Sequence, residues 1–130
     1  IRSPIWVGGG VTFSNVKNYK KKTNKKMAKK ALASILSKFK TEKRLDLVKD
    51  IKFKEGKTKE AKLFFEKMKL DSALLISDEF DQKSILAMRN LKNFSFLEVS
   101  DINPYDLIKA KHILITHSSV PKIKELLNVK

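Results

Sequence analysis

The sequence predicts an α/β fold: a Rossmann-like, mostly parallel sheet of about four strands with helices on both faces, plus an extended amino-terminal arm. Short apolar segments alternate with helical patterns, 42% of the 130 residues are hydrophobic, and positive charge is concentrated near the start. Alternating strands and helices favour a parallel sheet with right-handed crossovers. A chain of this size can bury a core without disulfides or a structural metal. We therefore expect an arm at residues 1–23 and a globular domain at residues 24–130.

The first helix is predicted to follow the arm directly. Residues 1–23 show no helical period and contain a proline and three consecutive glycines, which indicates an extended arm. From Asn24, which is interpreted as the N-cap, apolar residues recur at steps of three and four, so the spacing predicts an amphipathic helix that ends near Lys43. Its apolar residues are Met27, Ala28, Ala31, Leu32, Ile35, Leu36 and Phe39.

Four later apolar segments are predicted as the strands of the sheet. They run over residues 45–49, 73–77, 94–99 and 112–116. A helical pattern follows each segment, and a polar residue is placed to begin each of these helices. These residues are Thr58, Asp81, Asn103 (followed by Pro104, which suits the first helical turn) and Ser119.

The net charge of +15 indicates a polyanionic partner. Residues 1–44 hold thirteen of the 29 basic residues and a single acid, and residues 1–30 hold nine basic residues and no acid. Such a block repels itself and is best tolerated against phosphates or anionic lipid. We expect Lys22, Lys25 and Lys29 to lie together on the polar face of the first helix, so that they extend the basic surface of the arm.

Aromatic residues alternate with basic ones in the arm, a mixture typical of proteins that bind single-stranded or irregular nucleic acid. Lysines would neutralise phosphates while Trp6, Phe13 and Tyr19 stack on bases or pack on ribose; the alternative is that a given ring folds back into the core. The glycines would let the backbone pass close to RNA. A nucleotide phosphate loop is disfavoured, because no Lys-Ser or Lys-Thr follows them at the required spacing. The predicted RNA-binding residues are Arg2, Ser3, Trp6, Gly8, Gly9, Gly10, Phe13, Lys17, Tyr19, Lys20, Lys21, Lys22, Lys25, Lys26, Lys29 and Lys30.

A second class of function, a small Rossmann-like nucleotide-binding domain or enzyme, is left open by the fold. Asp78, Glu79 and Asp81 follow the second strand, where ligands of open parallel sheets bind, and such carboxylates could hold magnesium or act as acid and base. We favour helix capping by Asp81, with the other two solvated, because no histidine, lysine or nucleophile motif accompanies them.

Other chemistries are disfavoured by composition. The chain has no cysteine, and His112 and His117 are expected on opposite faces of the last strand, so neither a thiolate site nor a histidine metal pair is expected. Ser118 and Ser119 lack a nucleophile elbow and are interpreted as caps. No apolar run approaches the ~18 residues that span a bilayer, and no secretory signal is present, which favours an intracellular location. We expect no catalytic residue, cofactor, metal or membrane partner.

Short motifs, each different from the others, lie along the whole chain in a specific order and spacing. They are Arg2-Ser3-Pro4-Ile5-Trp6, Gly8-Gly9-Gly10-Val11-Thr12-Phe13, Asn24-Lys25-Lys26-Met27, Ala31-Leu32, Ser34-Ile35-Leu36-Ser37, Arg44-Leu45, Lys57-Thr58-Lys59, Asp78-Glu79, Ala87-Met88-Arg89-Asn90-Leu91, Tyr105-Asp106-Leu107 and residues 120–127. By these residues the chain resembles the bacterial form of the universal large-subunit ribosomal protein four.

The resemblance implies a non-catalytic constituent of the large ribosomal subunit. Such a protein binds large-subunit rRNA, supports the wall of the peptide exit tunnel, contacts neighbouring ribosomal proteins in the cytoplasm and is not a homo-oligomer; some members also repress their own operon. Residues 1–23 would be the returning limb of a long loop, so a chain that begins at Ile1 would be a fragment without the amino-terminal part and the loop tip. Val7 departs from the family pattern, which usually places a basic residue there.

Overall fold

A four-stranded, wholly parallel sheet forms the centre of the molecule. The computed structural model describes residues 2–13, 17–53 and 55–127, so the predicted limits of the arm at Ile1 and of the domain at residues 128–130 lie outside the described residues. The strands are β1 (Leu45–Val48), β2 (Ala73–Ser77), β3 (Phe94–Glu98) and β4 (Ile113–Thr116), in the order β1-β4-β2-β3. Every pairing is parallel, with Leu75 opposite Leu114 at the centre. The predicted fold class is confirmed.

Helices cover both faces of this sheet. They are α1 (Lys25–Thr41), α2 (Thr58–Lys67), α3 (Gln82–Met88), α4 (Pro104–Lys109) and α5 (Val120–Leu127). Side chains alternate along β2, so that Leu74 and Ile76 face the core beneath α1, α4 and α5, while Ala73 and Leu75 face the core beneath α2 and α3. No helix in the described part of the chain is long and apolar enough to cross a membrane.

The predicted capping residues have different outcomes. Asn103 caps α4, because its side-chain oxygen accepts a hydrogen bond from the backbone nitrogen of Asp106 at 2.9 Å. Asn24 and Asp81 precede α1 and α3 as predicted, but neither side chain makes a capping hydrogen bond. The prediction that Thr58 caps a helix is wrong by one residue, since Thr58 is the first residue of α2.

Only the second half of α1 packs on the sheet. Leu32 and Phe39 are buried in the core, whereas Met27 is 63% exposed and Ala28 and Ala31 are exposed. The apolar pattern predicted along the whole helix is therefore buried only from Leu32 onward. The first two turns of α1 project beyond the core and lead directly into the arm.

Arg44, which follows α1, bonds to the segment that leads into β4. Its guanidinium donates hydrogen bonds to the carbonyl oxygens of Lys111 at 2.6 Å and Ala110 at 3.2 Å, and it pairs with the Glu42 carboxylate at 2.9 Å. The same group lies 4.7 Å from the centre of the Phe39 ring. These contacts join the carboxyl end of α1 to the segment that enters β4.

The end of α1 also differs from its predicted position. The helix ends at Thr41, two residues before the predicted Lys43. Lys43 has a φ of 55°, in the left-handed region that commonly terminates helices. The chain turns there and enters β1.

Candidate nucleic-acid interface

The arm lies outside the core along its described length. Residues 2–13 and 17–23 contain no helix or strand, and nearly all of them are exposed. The rings of Trp6, Phe13 and Tyr19 are 59%, 86% and 78% exposed. The alternative that these rings fold back into the protein's own core is therefore wrong, and all three are accessible to a partner.

The start of the arm is a closed loop rather than an extended strand. The backbone nitrogen of Trp6 donates to the Ser3 carbonyl at 3.1 Å, that of Gly9 to the Trp6 carbonyl at 2.8 Å, and that of Gly10 to the Arg2 carbonyl at 2.9 Å. These bonds bring residues 2 and 10 side by side. We call this segment the 2–10 loop; it departs locally from the extended arm that the sequence predicts.

The glycines are needed by the 2–10 loop itself. Gly8 has a φ of +75°, a backbone angle that residues with a Cβ atom rarely adopt. A Cβ on Gly9 would overlap the Ser3 carbonyl oxygen, and a Cβ on Gly10 would lie 3.2 Å from the Arg2 carbonyl oxygen. The close backbone approach inferred from the three glycines therefore occurs within the chain. Their approach to RNA stays a prediction.

Sequence reasoning missed two residues at the tip of the 2–10 loop. Ile5 is 92% exposed and Val7 is fully exposed, one on each side of Trp6. Pro4 and Gly8 flank this trio, and such residues commonly mark a turn, so this signal could have revealed an apolar tip. The loop thus presents three adjacent apolar side chains to its surroundings.

The predicted basic residues of the arm and α1 are spread along an accessible surface. Arg2, Lys17, Lys20, Lys21, Lys22, Lys25, Lys26 and Lys30 are exposed, and Lys29 is partly buried. The side-chain oxygen of Asn18 accepts a hydrogen bond from the Lys20 backbone nitrogen at 2.9 Å, which turns the chain locally. The first acid in the sequence is Glu42, and it already lies near Arg44 and Lys38. We call the nine basic residues from Arg2 to Lys30, together with the exposed arm and the first turns of α1 that carry them, the basic surface.

The amino terminus of α1 adds to this positive potential. No acidic residue lies in its first turn, which instead contains Lys25 and Lys26. The Asn24 carbonyl accepts hydrogen bonds from the backbone nitrogens of Met27 and Ala28 at 3.0 and 3.1 Å, while its side chain caps nothing. Because the helix dipole is positive at this end, lysines here raise the electrostatic energy unless an anion is close.

The carboxylates after β2 lie in a crevice at the carboxyl ends of the strands, which is the candidate site of the nucleotide-binding alternative. The chain leaves β2 toward one face of the sheet and β4 toward the other, so a switch point lies between these strands. Asp78 forms an ion pair with Lys122, and this hydrogen bond raises the pKa of Lys122. Ser118 donates a hydrogen bond to Asp50 at 2.7 Å. Two of the crevice carboxylates are thus engaged with side chains of the protein, and the prediction that Asp78 is solvated without a lysine beside it is wrong.

A group of buried hydroxyl groups lies next to the same crevice, which Ser77 lines. The Thr116 hydroxyl lies 3.3 Å from that of Ser77 and 3.0 Å from that of Ser119, and Ser119 donates to the Thr116 carbonyl at 2.8 Å. Ser119 and Thr116 are almost wholly buried. These hydroxyls therefore join β2, β4 and the start of α5. Within residues 2–13, 17–53 and 55–127, no group of three His, Asp or Glu side chains could hold a metal ion.

Comparison with known proteins gives a consistent result. A family model described as "Ribosomal protein L4/L1 family" matches residues 1–126. The chain is 41% identical over 126 residues to the "Large ribosomal subunit protein uL4" of Paracidovorax citrulli (strain AAC00-1), covering 95% of this chain and 61% of that protein. The protein of the same name from Burkholderia lata is 41% identical over 128 residues (97% and 62%), and that from Legionella pneumophila (strain Lens) is 38% identical over 128 residues (98% and 64%). The chain spans less than two thirds of the length of these relatives.

Proposed function

The chain belongs to the ribosomal protein L4/L1 family, and from this premise we propose that it is a structural constituent of the large ribosomal subunit that binds large-subunit rRNA. The basic surface is the proposed binding site. The relatives are named as large-subunit proteins, and RNA is the polyanion that such a particle offers to a basic segment.

The observation that carries this proposal is the accessibility of positive charge in a segment whose sequence contains no acidic residue. Residues 1–30 contain nine basic residues and no acid, and the described part of this segment lies outside the core. Like charges at this density repel one another, and phosphates relieve that repulsion while releasing bound counterions. If roughly eight phosphates are contacted, affinity falls ~10³- to 10⁵-fold between 50 and 200 mM salt.

The position of α1 gives this surface a defined direction. Its second half is packed in the core at Leu32 and Phe39, and its first turns extend outward with Lys25 and Lys26 at the positive end of the helix. A phosphate at this end would meet both the lysines and the helix dipole. The domain thus holds α1, and α1 presents the arm to RNA.

The wider role follows from the family resemblance. We propose that the protein acts in the cytoplasmic ribosome, contacts neighbouring large-subunit proteins, supports the wall of the peptide exit tunnel, and functions without forming a homo-oligomer. Repression of its own operon through leader RNA would use the same basic surface, because that surface recognises RNA chiefly through phosphates.

We propose no catalytic role. The crevice at the switch point is where a nucleotide-binding enzyme of this fold would bind its ligand, but Asp78 is paired with Lys122 and Asp50 accepts a hydrogen bond from Ser118. Saturable binding of a mononucleotide that is lost on Asp78→Asn would support the enzyme alternative instead.

A charge-removal variant tests the proposed function. Lys21, Lys22, Lys25 and Lys26 are replaced together by Gln, and affinity for a large-subunit rRNA transcript is measured from 50 to 300 mM salt. Each lost phosphate contact lowers the slope of log K against log[salt] by about 0.7–0.9, so the slope should fall by about 3. Circular dichroism should show the same helix content, because these side chains are exposed.

The matched control removes the same charge elsewhere. Lys59, Lys67, Lys83 and Lys92 are also exposed, and their joint replacement by Gln should leave most of the slope unchanged. Equal losses in the two variants would mean that net charge alone attracts RNA. A wild-type protein with no salt dependence, or normal incorporation of the first variant into subunits, would contradict the proposed site.

A further inference from the structure

The 2–10 loop is organised before any partner binds. Three backbone hydrogen bonds of 2.8 to 3.1 Å close it, and Gly9 lies where any side chain would collide with the Ser3 carbonyl. A loop that is ordered in advance loses less conformational entropy on binding than a flexible arm does.

The tip of the 2–10 loop has a different chemistry from the rest of the basic surface. Ile5, Trp6 and Val7 are adjacent and exposed, and none of them can neutralise a phosphate. An exposed indole ring flanked by aliphatic side chains fits a flat apolar surface. In a segment otherwise dominated by positive charge, the partner that combines many phosphates with flat apolar surfaces is RNA with unpaired bases.

We propose that the 2–10 loop is a preformed base-stacking element, in which the Trp6 ring stacks on an unpaired base of the rRNA. This inference rests on the proposed RNA-binding function and adds a division of labour to it. The lysines of residues 17–30 supply affinity that is independent of sequence and depends on salt. The Trp6 ring of the loop supplies a contact that depends on RNA shape and is insensitive to salt.

The single tryptophan of the chain makes this contact observable. The 130-residue protein is titrated with a large-subunit rRNA transcript and, separately, with a fully paired RNA duplex, while Trp6 fluorescence is recorded. Stacking on a base should quench the fluorescence with the transcript. The duplex should bind through the lysines with little quenching, because its bases are stacked in the helix and inaccessible.

Three variants separate the loop from the lysines. Trp6→Ala should weaken transcript binding roughly 5- to 150-fold at every salt concentration without changing the salt slope, and Trp6→Phe should restore most of that loss. Gly9→Ala retains the ring but opens the loop, so it should weaken binding to a similar degree. The control is Tyr105→Ala, since Tyr105 is 71% exposed on α4 and should not affect binding.

The outcomes distinguish this inference from the proposed function. Equal quenching by transcript and duplex, or full transcript affinity of Trp6→Ala, would overturn the stacking contact while RNA binding through lysines remained. Normal RNA binding by Trp6→Ala combined with failed subunit incorporation would also overturn it, because Trp6 would then contact a protein. A wild-type protein that binds neither RNA would overturn the proposed function itself.

Discussion

Replacing Arg44 by alanine should destabilise the domain, because one side chain joins three parts of the fold. Its guanidinium bonds the carbonyl oxygens of Lys111 and Ala110 and the carboxylate of Glu42. Most of the expected loss of stability comes from the two hydrogen bonds to carbonyl oxygens and from the contact with the Phe39 ring. The Glu42 pair adds little, since both side chains are 37% exposed. We expect a loss of about 2–4 kcal/mol in the free energy of unfolding.

Urea unfolding followed by circular dichroism measures this loss directly. For a domain of this size, such a change lowers the melting temperature by about 6–15 °C. Arg89→Ala is the matched control, because Arg89 is an exposed arginine and should change stability by less than about 0.5 kcal/mol. Arg44→Lys should recover only part of the loss, as an ammonium cannot reproduce the planar donor geometry. An Arg44→Ala protein as stable as Arg89→Ala would refute this reasoning.

Two further substitutions test the core and the crevice. Phe65→Ala should lower the free energy of unfolding, measured in urea, by about 3–5 kcal/mol. Phe65 is 1% exposed and stacks on Phe94 with ring centres 3.8 Å apart. Leu63, on the same helix, is 47% exposed, and a loss for Phe65→Ala no larger than that for Leu63→Ala would contradict the packing. Asp78→Asn should lower the pKa of Lys122 toward its ordinary value, since the hydrogen bond that Lys122 donates to Asp78 raises it. The stabilising effect of this pair is fully present at neutral pH and is lost as pH rises through the raised pKa, and an NMR titration that found the pKa unchanged would contradict the pairing.

The globular domain was largely predictable from the sequence. Strand β2 is found at the predicted residues, and the other three differ by one residue at an end. The central strands β2 and β4 are largely apolar runs that the sheet buries on both faces, which leaves few alternatives for their position. Caps were harder to predict. Asn103 makes its bond while Asn24 and Asp81 do not, since residue type favours a capping position without fixing the side-chain rotamer.

Helix α1 shows what periodicity leaves undetermined. The spacing from Met27 to Phe39 correctly predicts one apolar face, but the core ends near Leu32 and Met27 is exposed. Periodicity shows which side of a helix is apolar. It does not show how far the sheet extends beneath that side, because this extent depends on the lengths of β2 and β4. The apolar start of α1 is therefore left beside the lysines of the basic surface.

The basic surface was predictable in composition and only partly in shape. Its charge is read directly from nine basic residues and no acid in residues 1–30. The closure of the 2–10 loop was not predictable, because it depends on backbone bonds such as that from Gly10 to Arg2, which leave no residue-type signature beyond the glycines. Those glycines indicated a close approach, and the approach proved to be within the chain.

Cross-linking within the assembled particle tests the central claim most directly. The protein is incorporated into large subunits, cross-linked to rRNA by ultraviolet light, digested, and the attached peptides are identified by mass spectrometry. We predict that cross-linked peptides come chiefly from residues 2–30. Cross-links confined to α2 and α3, on the face of the sheet opposite α1, would contradict the account.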